Sequence, residues 1–297
     1  MTKEFKGLLL CVAGGIFFGT AGTATNLIDA SADSGTIGFS RILVGAVALL
    51  IVAPFFGGKY SQIPGLLKKK EIYFMALGAG MYQPFFFGAV ERTGVAWGTL
   101  VAVGSIPVFA GTINWFLTRK NPSRSWFIAT TIAVFGLYLI ASQNSGETNS
   151  VGILMALLAG LATAIYVSSA KQAISKGANA VLAPTLSYFV GSILLMIVIQ
   201  PDYLDLVTDA NNFLLALYLG IFTFALANGL QLIGLRHLTP PVAATLFLAD
   251  PLTATFLGVV VLGESLAGTQ VFGLLLVLVG LIWQGLTLKP EEVAPRV

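Results

Sequence analysis

The sequence predicts an all-α integral membrane protein of ten transmembrane helices, arranged as two inverted five-helix repeats. Three observations lead there: the composition, the side-to-side alternation of basic residues, and a self-similarity at an offset of about 144 residues. Of 297 residues, 56% are hydrophobic and 10% are charged, with a mean hydropathy of +0.88. A soluble domain carries roughly 25% charged residues and needs that polar surface to stay dissolved. The composition therefore excludes a soluble enzyme, a disordered chain and a nucleic-acid binder. The net charge of +3 and the pI near 9.0 do not reverse this, because Lys and Arg sit in short clusters between apolar runs. The single Cys, Cys11, lies inside an apolar run, which excludes a disulfide framework and a Cys-based metal site. One His leaves no His-cluster metal site, and no cofactor or metal is expected.

The apolar segments run over 6–28, 35–56, 72–90, 95–117, 126–142, 151–170, 179–199, 213–235, 240–262 and 268–288. A bilayer crossing needs about 20 residues. These runs are too long for strands, and they lack the alternation of a β-barrel. Lipid requires backbone groups to be paired internally, so each run reads as a helix. The first is read as a span and not as a cleaved leader, although Lys3 and Lys6 precede it.

With the N-terminus in the cytoplasm, the inner side collects 14 of 16 basic residues; Arg92 falls outside and Arg41 within a span. The outer loops carry Asp29, Asp33, Glu147, Asp202, Asp205 and Asp209. A wrong span count would scramble this pattern, so both termini are expected inside. Tyr73, Trp115 and Trp126 fall at an inner interfacial belt. The "LLKKKE" run at 66–71 reads as a topology anchor facing anionic lipid, and the tail 289–297 as a short disordered end.

The halves, 1–145 and 146–297, resemble each other. "VAWGTLVAVGSIP" (95–107) aligns with "TPPVAATLFLADP" (239–251), placing Pro107 on Pro251 and Arg92 on Arg236. The same offset carries Gly136-Leu137 onto Gly280-Leu281, and an offset of 145 carries Gly7 onto Gly152 and Gly15 onto Gly160. Five spans per half is odd, so the second half enters the membrane the other way round. Such inverted repeats point to a secondary transporter.

The chain resembles the EamA-type transporters of the drug/metabolite superfamily. The features that carry the resemblance are "GLLLCVAGGIFFGT" in the first span, Arg41 in "FSRILVGAVAL", "ATLFLADPLTATFLGVVVLGESL" in the ninth and "GLLLVLVGLI" in the tenth. Pro251 leads to Gly263-Glu264 as in the family's repeated signature, whereas Pro107 leads to Arg119-Lys120. The resemblance implies a bundle in a bacterial inner membrane, with a central cavity lined mainly by spans one, three, four, six, eight and nine. The family's substrates range over amino acids, nucleosides, sugars, drugs and other metabolites. It supplies no universal set of binding residues.

Ionisable residues at membrane depth are functional candidates. Asp250 is the only acidic residue inside the ten segments and lies near mid-span. Two readings stand: a contact for a substrate amine or a coupling proton, or a polar group satisfied beside the Pro251 break. Arg41 either recognises a substrate carboxylate through its guanidinium fork or serves structure, snorkelling or pairing with Asp250. Asn228 and Gln231 share a helix face, as do Tyr166 and Ser169. Tyr82 and Gln83 precede Pro84, and Thr20, Thr23 and Asn26 follow the first span at helical spacing. Together these could line a pathway, or merely bond helix to helix. Trp97 and Phe247 are candidate aromatic walls, Gly15 and Gly19 a close-approach pair, and Glu91-Arg92 and Arg236-His237 corresponding loop residues.

The expected partners are a small-molecule substrate and the bilayer, with a coupling proton open and a monomer or homodimer both allowed. The leading function is export of small metabolites such as amino acids by alternating access, a substrate class the resemblance supplies. A lipid-carrier flippase is the alternative. An intramembrane enzyme lacks a HExxH, a GxSxG or a second in-span carboxylate, and no Walker-type sequence is present for ATP hydrolysis.

Overall fold

The structure, a computed structural model, describes residues 3–28, 34–142, 149–200 and 209–288. The expectations for Asp29, Asp33, Glu147, Asp202, Asp205 and the tail 289–297 lie outside the described residues. Within them every regular element is helical: α1 (Lys3–Leu27), α2 (Ser34–Val52), α3 (Lys70–Thr118), α4 (Arg124–Ala141), α5 (Ser150–Ser175), α6 (Leu182–Ile199), α7 (Ala210–Gly220), α8 (Ala227–Leu235), α9 (Pro240–Leu246), α10 (Ala249–Val260) and α11 (Gly268–Leu286). Short helical turns at Ala53–Phe56, Tyr60–Gln62 and Ile63–Leu66 join α2 to α3.

Among the described residues, eight helical stretches are long and apolar enough to cross a bilayer, by length and composition. They are Phe5–Leu27, Gly35–Phe56, Lys70–Thr118, Arg124–Ala141, Ser150–Ser175, Ala210–Leu235, Pro240–Val260 and Gly268–Leu286; Leu182–Ile197 is a shorter apolar helix. Large apolar side chains such as Phe55, Ile197, Val260 and Leu286 face outward, as lipid-facing residues would.

Three elements depart from the expected segments. The segments 72–90 and 95–117 form two helices that meet at a kink within α3, and the expected loop over 91–94 narrows to a single non-helical residue, Gly94, at φ 77° and ψ 161°. Side chains bond back onto the preceding turn there: Arg92 donates to Gly88 O at 2.9 Å and Thr93 to Ala89 O at 2.8 Å. Glu91 and Arg92 are therefore helical residues and not loop residues. Gly94 sits where a Cβ is strained, so the reversal depends on a glycine there. The segment 179–199 turns helical at Leu182, because Asn179 Oδ1 accepts from the backbone N–H groups of Val181 and Leu182, both at 2.9 Å. The segment 240–262 breaks at Phe247–Leu248. Pro251 cannot donate to Phe247 O; the Asp250 N–H takes that carbonyl instead at 2.9 Å. Asp250 thereby opens the first turn of α10, where the helix dipole favours a carboxylate.

Helix contacts recur at the sequence offset. A Cβ on Gly136 would lie 2.5 Å from Gly273 O and 2.8 Å from Val277 N. The equivalent Cβ on Gly280 would lie 2.8 Å from Ala129 O and 3.1 Å from Ala133 N. An offset of 144 carries each of these residues onto its counterpart, so α4 and α11 meet through matching faces. Gly7 against His237 and Gly234 is likewise mirrored by Gly152 against Thr93 and Ala89. Gly15 against Ala249 is mirrored by Gly160 against Ser105. Each half thus seats its first helix on the other half's later helices.

Candidate functional site

The ninth segment delivers Asp250 to a helix break beside α1. Gly15 and Gly19 make this approach possible: a Cβ on Gly15 would stand 2.9 Å from Ala249 Cβ, and one on Gly19 only 2.5 Å from Asp250 O. Between them on α1, Phe18 meets Phe247 edge-on, with ring centroids 4.9 Å apart.

Arg41 of α2 reaches the same neighbourhood. Its guanidinium carbon lies 5.2 Å from the Phe18 ring centroid and 5.9 Å from that of Phe224, in cation–π range. Its Nη2 donates to Thr223 O at 3.1 Å. That carbonyl belongs to a π-helical turn, Ile221–Leu226, between α7 and α8. Such a turn shifts the backbone pairing register and recurs at functional sites. Arg41 Nε has no hydrogen-bond partner among the described residues, so the fork keeps donor capacity. Tyr82 of α3 completes the group, and Arg41, Tyr82 and Asp250 act on one another electrostatically. Arg41 and Asp250 do not form an ion pair within 4 Å; among the described residues the ion pairs are Arg92–Glu91 and Lys176–Glu71. A cation and an anion held near each other without direct contact can each accept a different end of one ligand.

A buried polar chain adjoins this group. Tyr188 of α6 donates to Asn228 Oδ1 at 2.7 Å, and Asn228 Nδ2 donates to Phe224 O at 2.9 Å. Tyr166 of α5 hydrogen-bonds Tyr188; with the Tyr188 proton committed to Asn228, Tyr166 is the donor. The Phe224 ring joins the two groups, 4.6 Å from the Tyr188 ring and in cation–π range of Arg41. Tyr188→Phe removes one link and leaves Asn228 Oδ1 without it. About 1 kcal/mol is expected, read as a melting temperature a few degrees lower in detergent. Tyr166→Phe, which removes only the outer donor, is expected to cost less.

The structure brings Asp250, Arg41, Tyr82, Tyr166 and Asn228 into these two linked groups. Gln83 is buried one residue from Tyr82, with Oε1 3.4 Å from where a Gly38 Cβ would stand. Gln231 is buried against Gly14 of α1, and its backbone carbonyl accepts from Cys11 at 3.7 Å. Thr23 is buried, its hydroxyl unpartnered among the described residues. Asn26 is exposed and bonds back to Gly22 O at 2.9 Å. Trp97 meets Tyr138 of α4 edge-on at 6.1 Å. Phe18, Thr223, Phe224 and Tyr188 were not singled out from the sequence. Only Tyr188, a phenol inside an apolar run, carried a signal.

His237 lies half-buried near α1. Burial, then the positive charges of Lys171, Lys3, Arg236 and Lys6, hold its pKa below the ordinary 6.5. It is neutral at neutral pH.

The sequence profile described as "EamA-like transporter family" matches residues 5–142 and again residues 150–285. The chain belongs to the EamA-like transporter family. It is an integral membrane transporter, with two copies of the family's domain. A Bacillus subtilis (strain 168) protein described as "Uncharacterized transporter YwfM" is 33% identical over 288 residues, covering 95% of this chain and 94% of that one. The "Threonine/homoserine exporter RhtA" of Salmonella typhimurium (strain LT2) is 28% identical over 230 residues, covering 75% and 74%. Its Escherichia coli (strain K12) namesake is 24% identical over 224 residues, covering 70% and 73%. These relatives are named as transporters and not as enzymes. A solved crystal structure superposes with a TM-score of 0.76 at 16% identity, covering 94% of this chain and 96% of that one, and so shares the fold.

Proposed function

We propose that this EamA-family chain exports small zwitterionic metabolites, amino acids among them, across the bacterial inner membrane by alternating access. The observation that carries the reading is the convergence of Arg41, Tyr82 and Asp250 beside a helix break. Arg41 offers a fork to a carboxylate, Asp250 an anion to an ammonium group, and Tyr82 a hydroxyl. Phe18, Phe224 and Phe247 enclose the site in apolar surface, where such contacts count for more than in water. Gln83, Gln231, Asn228, Tyr166, Thr23, Asn26 and Trp97 extend the pathway. The RhtA relatives, named for threonine and homoserine export, supply the amino-acid class.

The proposed architecture has ten spans. The two arms of α3 on either side of Gly94 count as two and α6 as one, added to the other seven long stretches. The halves 1–145 and 146–297 are taken as inverted repeats, both termini cytoplasmic. The contacts of Gly136 and of Gly7, repeated at their counterparts Gly280 and Gly152, support the repeat. In that topology the bond of Lys171 to Leu235 O (2.6 Å), within the second half, and the inter-half pair of Lys176 with Glu71 (2.5 Å) close the cytoplasmic side. Alternating access exchanges these for equivalent contacts on the other side. Asp250, the sole in-span acid, is the place where a proton would couple.

Counterflow in proteoliposomes tests the reading. Vesicles loaded with unlabelled threonine and homoserine are expected to accumulate the labelled amino acid saturably. No accumulation of any amino acid by correctly folded protein would contradict the substrate class.

A further inference from the structure

A second feature lies among outward-facing side chains such as Phe127 and Phe135. The arm of α3 after Gly94 and helix α4 leave between them an apolar groove of about 560 Å³, with Val108, Thr112 and Trp115 on one wall and Thr131, Phe135 and Tyr138 on the other. Trp126 is buried in its wall, with no partner for its indole N–H among the described residues. The Trp126 ring packs onto Gly111 of α3, 2.9 Å from where a Cβ would be.

One end of the groove carries charge. Arg119, Lys120 and Arg124 lie within six residues around the turn that joins α3 to α4. None is paired with a carboxylate among the described residues. Arg119 caps α3 in the left-handed conformation at φ 57°, and its guanidinium carbon lies 5.6 Å from the Trp115 ring centroid, at the groove mouth. The N-terminus of the 18-residue helix α4 opens at the same place, adding the positive end of a helix dipole. The groove runs from Trp126 to Tyr138, about 18 Å at about 1.5 Å per residue. That is about half of a ~30 Å hydrocarbon core, the depth of one leaflet. In the proposed topology the basic end faces the cytoplasm, and the inner leaflet is the anionic one.

We propose that this groove binds one inner-leaflet anionic phospholipid, an acyl chain lying between α3 and α4 and the phosphate headgroup held by Arg119, Lys120 and Arg124. The orientation of the groove rests on the proposed topology; the binding does not, and can be tested in detergent. An unneutralised basic cluster selects the anionic lipid, and the length of the groove selects a chain over a soluble anion.

The full-length protein would be melted in a neutral detergent against increasing phosphatidylglycerol, phosphatidylcholine with the same acyl chains, or inorganic phosphate. Phosphatidylglycerol is expected to raise the melting temperature at least twice as far as phosphatidylcholine, and phosphate not at all. Arg119→Gln/Lys120→Gln/Arg124→Gln, all at exposed positions, is expected to bring the phosphatidylglycerol shift down to the phosphatidylcholine level. Val108→Trp/Thr131→Trp, which fills the groove, is expected to remove both shifts. Equal shifts by the two lipids, an unchanged response in the triple variant, or an equal shift by phosphate would each overturn the proposal. So would a filled variant that keeps its lipid response but changes oligomeric state, which would assign the groove to a second copy of the chain. Because the assay reads binding alone, its failure leaves the amino-acid reading of the Asp250 site intact, and failed counterflow leaves the lipid site intact.

Discussion

Asp250→Asn is expected to lower amino-acid counterflow by about 10- to 100-fold while the protein still folds and melts within a few degrees of the parent. The substitution keeps the size of the side chain and removes its charge. A hydrogen bond to a charged group contributes about 1.5–3 kcal/mol net, and each 1.4 kcal/mol is about tenfold. Folding is spared because Asp250 makes no direct ion pair among the described residues and its backbone N–H keeps its bond to Phe247 O. Arg41→Lys is expected to be of the same order for a different reason. It keeps the charge but loses the fork and the stacking over Phe18 and Phe224. Any uptake driven by a pH gradient should vanish in Asp250→Asn and persist in Arg41→Lys. A purely structural Asp250 would instead show a large loss of melting temperature with little change in transport per folded molecule.

Gly19→Ala and Gly22→Ala are expected to part company, although they lie three residues apart on α1. At Gly19 a Cβ would fall 2.5 Å from Asp250 O and 2.6 Å from Thr253 Cβ. Helix α1 would have to withdraw from α10, and overpacking of this kind costs about 1–3 kcal/mol, occasionally more. The displaced element carries Asp250, so transport should fall together with stability. At Gly22 nothing stands within 4 Å of the added Cβ. There alanine should be neutral or stabilising by about 0.5–1 kcal/mol, through its better helix propensity. Melting temperature and counterflow on both variants check this. Equal behaviour of the pair would contradict the close approach of α1 to the Asp250 turn.

Much of this arrangement is legible in the sequence. Runs of about 20 apolar residues leave helices as the satisfied backbone in lipid, and offsets shared by Gly7, Gly15, Gly136 and Pro107 revealed two copies of one domain. Asp250 and Arg41 stood out because charge is costly at that depth. The illegible parts depend on tertiary geometry. Glu91–Thr93 read as a loop because charged residues interrupt an apolar run, yet they stay helical up to Gly94, the side chains of Arg92 and Thr93 bonding back to the Gly88 and Ala89 carbonyls. The π-helical turn at Ile221–Leu226 leaves no mark in composition, so Thr223 and Phe224, which hold Arg41 and Asn228, passed unnoticed. Tyr188 sits among leucines and isoleucines, and its partners Tyr166 and Asn228 lie on two other helices. Trp97 drew attention by residue type alone; its ring contact is with Tyr138 of α4.

The most direct test of a site built for both ends of a zwitterion is competition between analogues in counterflow of labelled threonine. Unlabelled threonine, its methyl ester, which lacks the carboxylate, and its deaminated hydroxy acid would be compared as competitors. Threonine should compete at least about tenfold better than either analogue, a loss of 1.4 kcal/mol or more for each missing end, and Arg41→Gln, which removes the charge as well as the fork, should erase the discrimination against the ester alone. Competition by the ester and the hydroxy acid as strong as that of threonine would contradict recognition by Arg41 and Asp250.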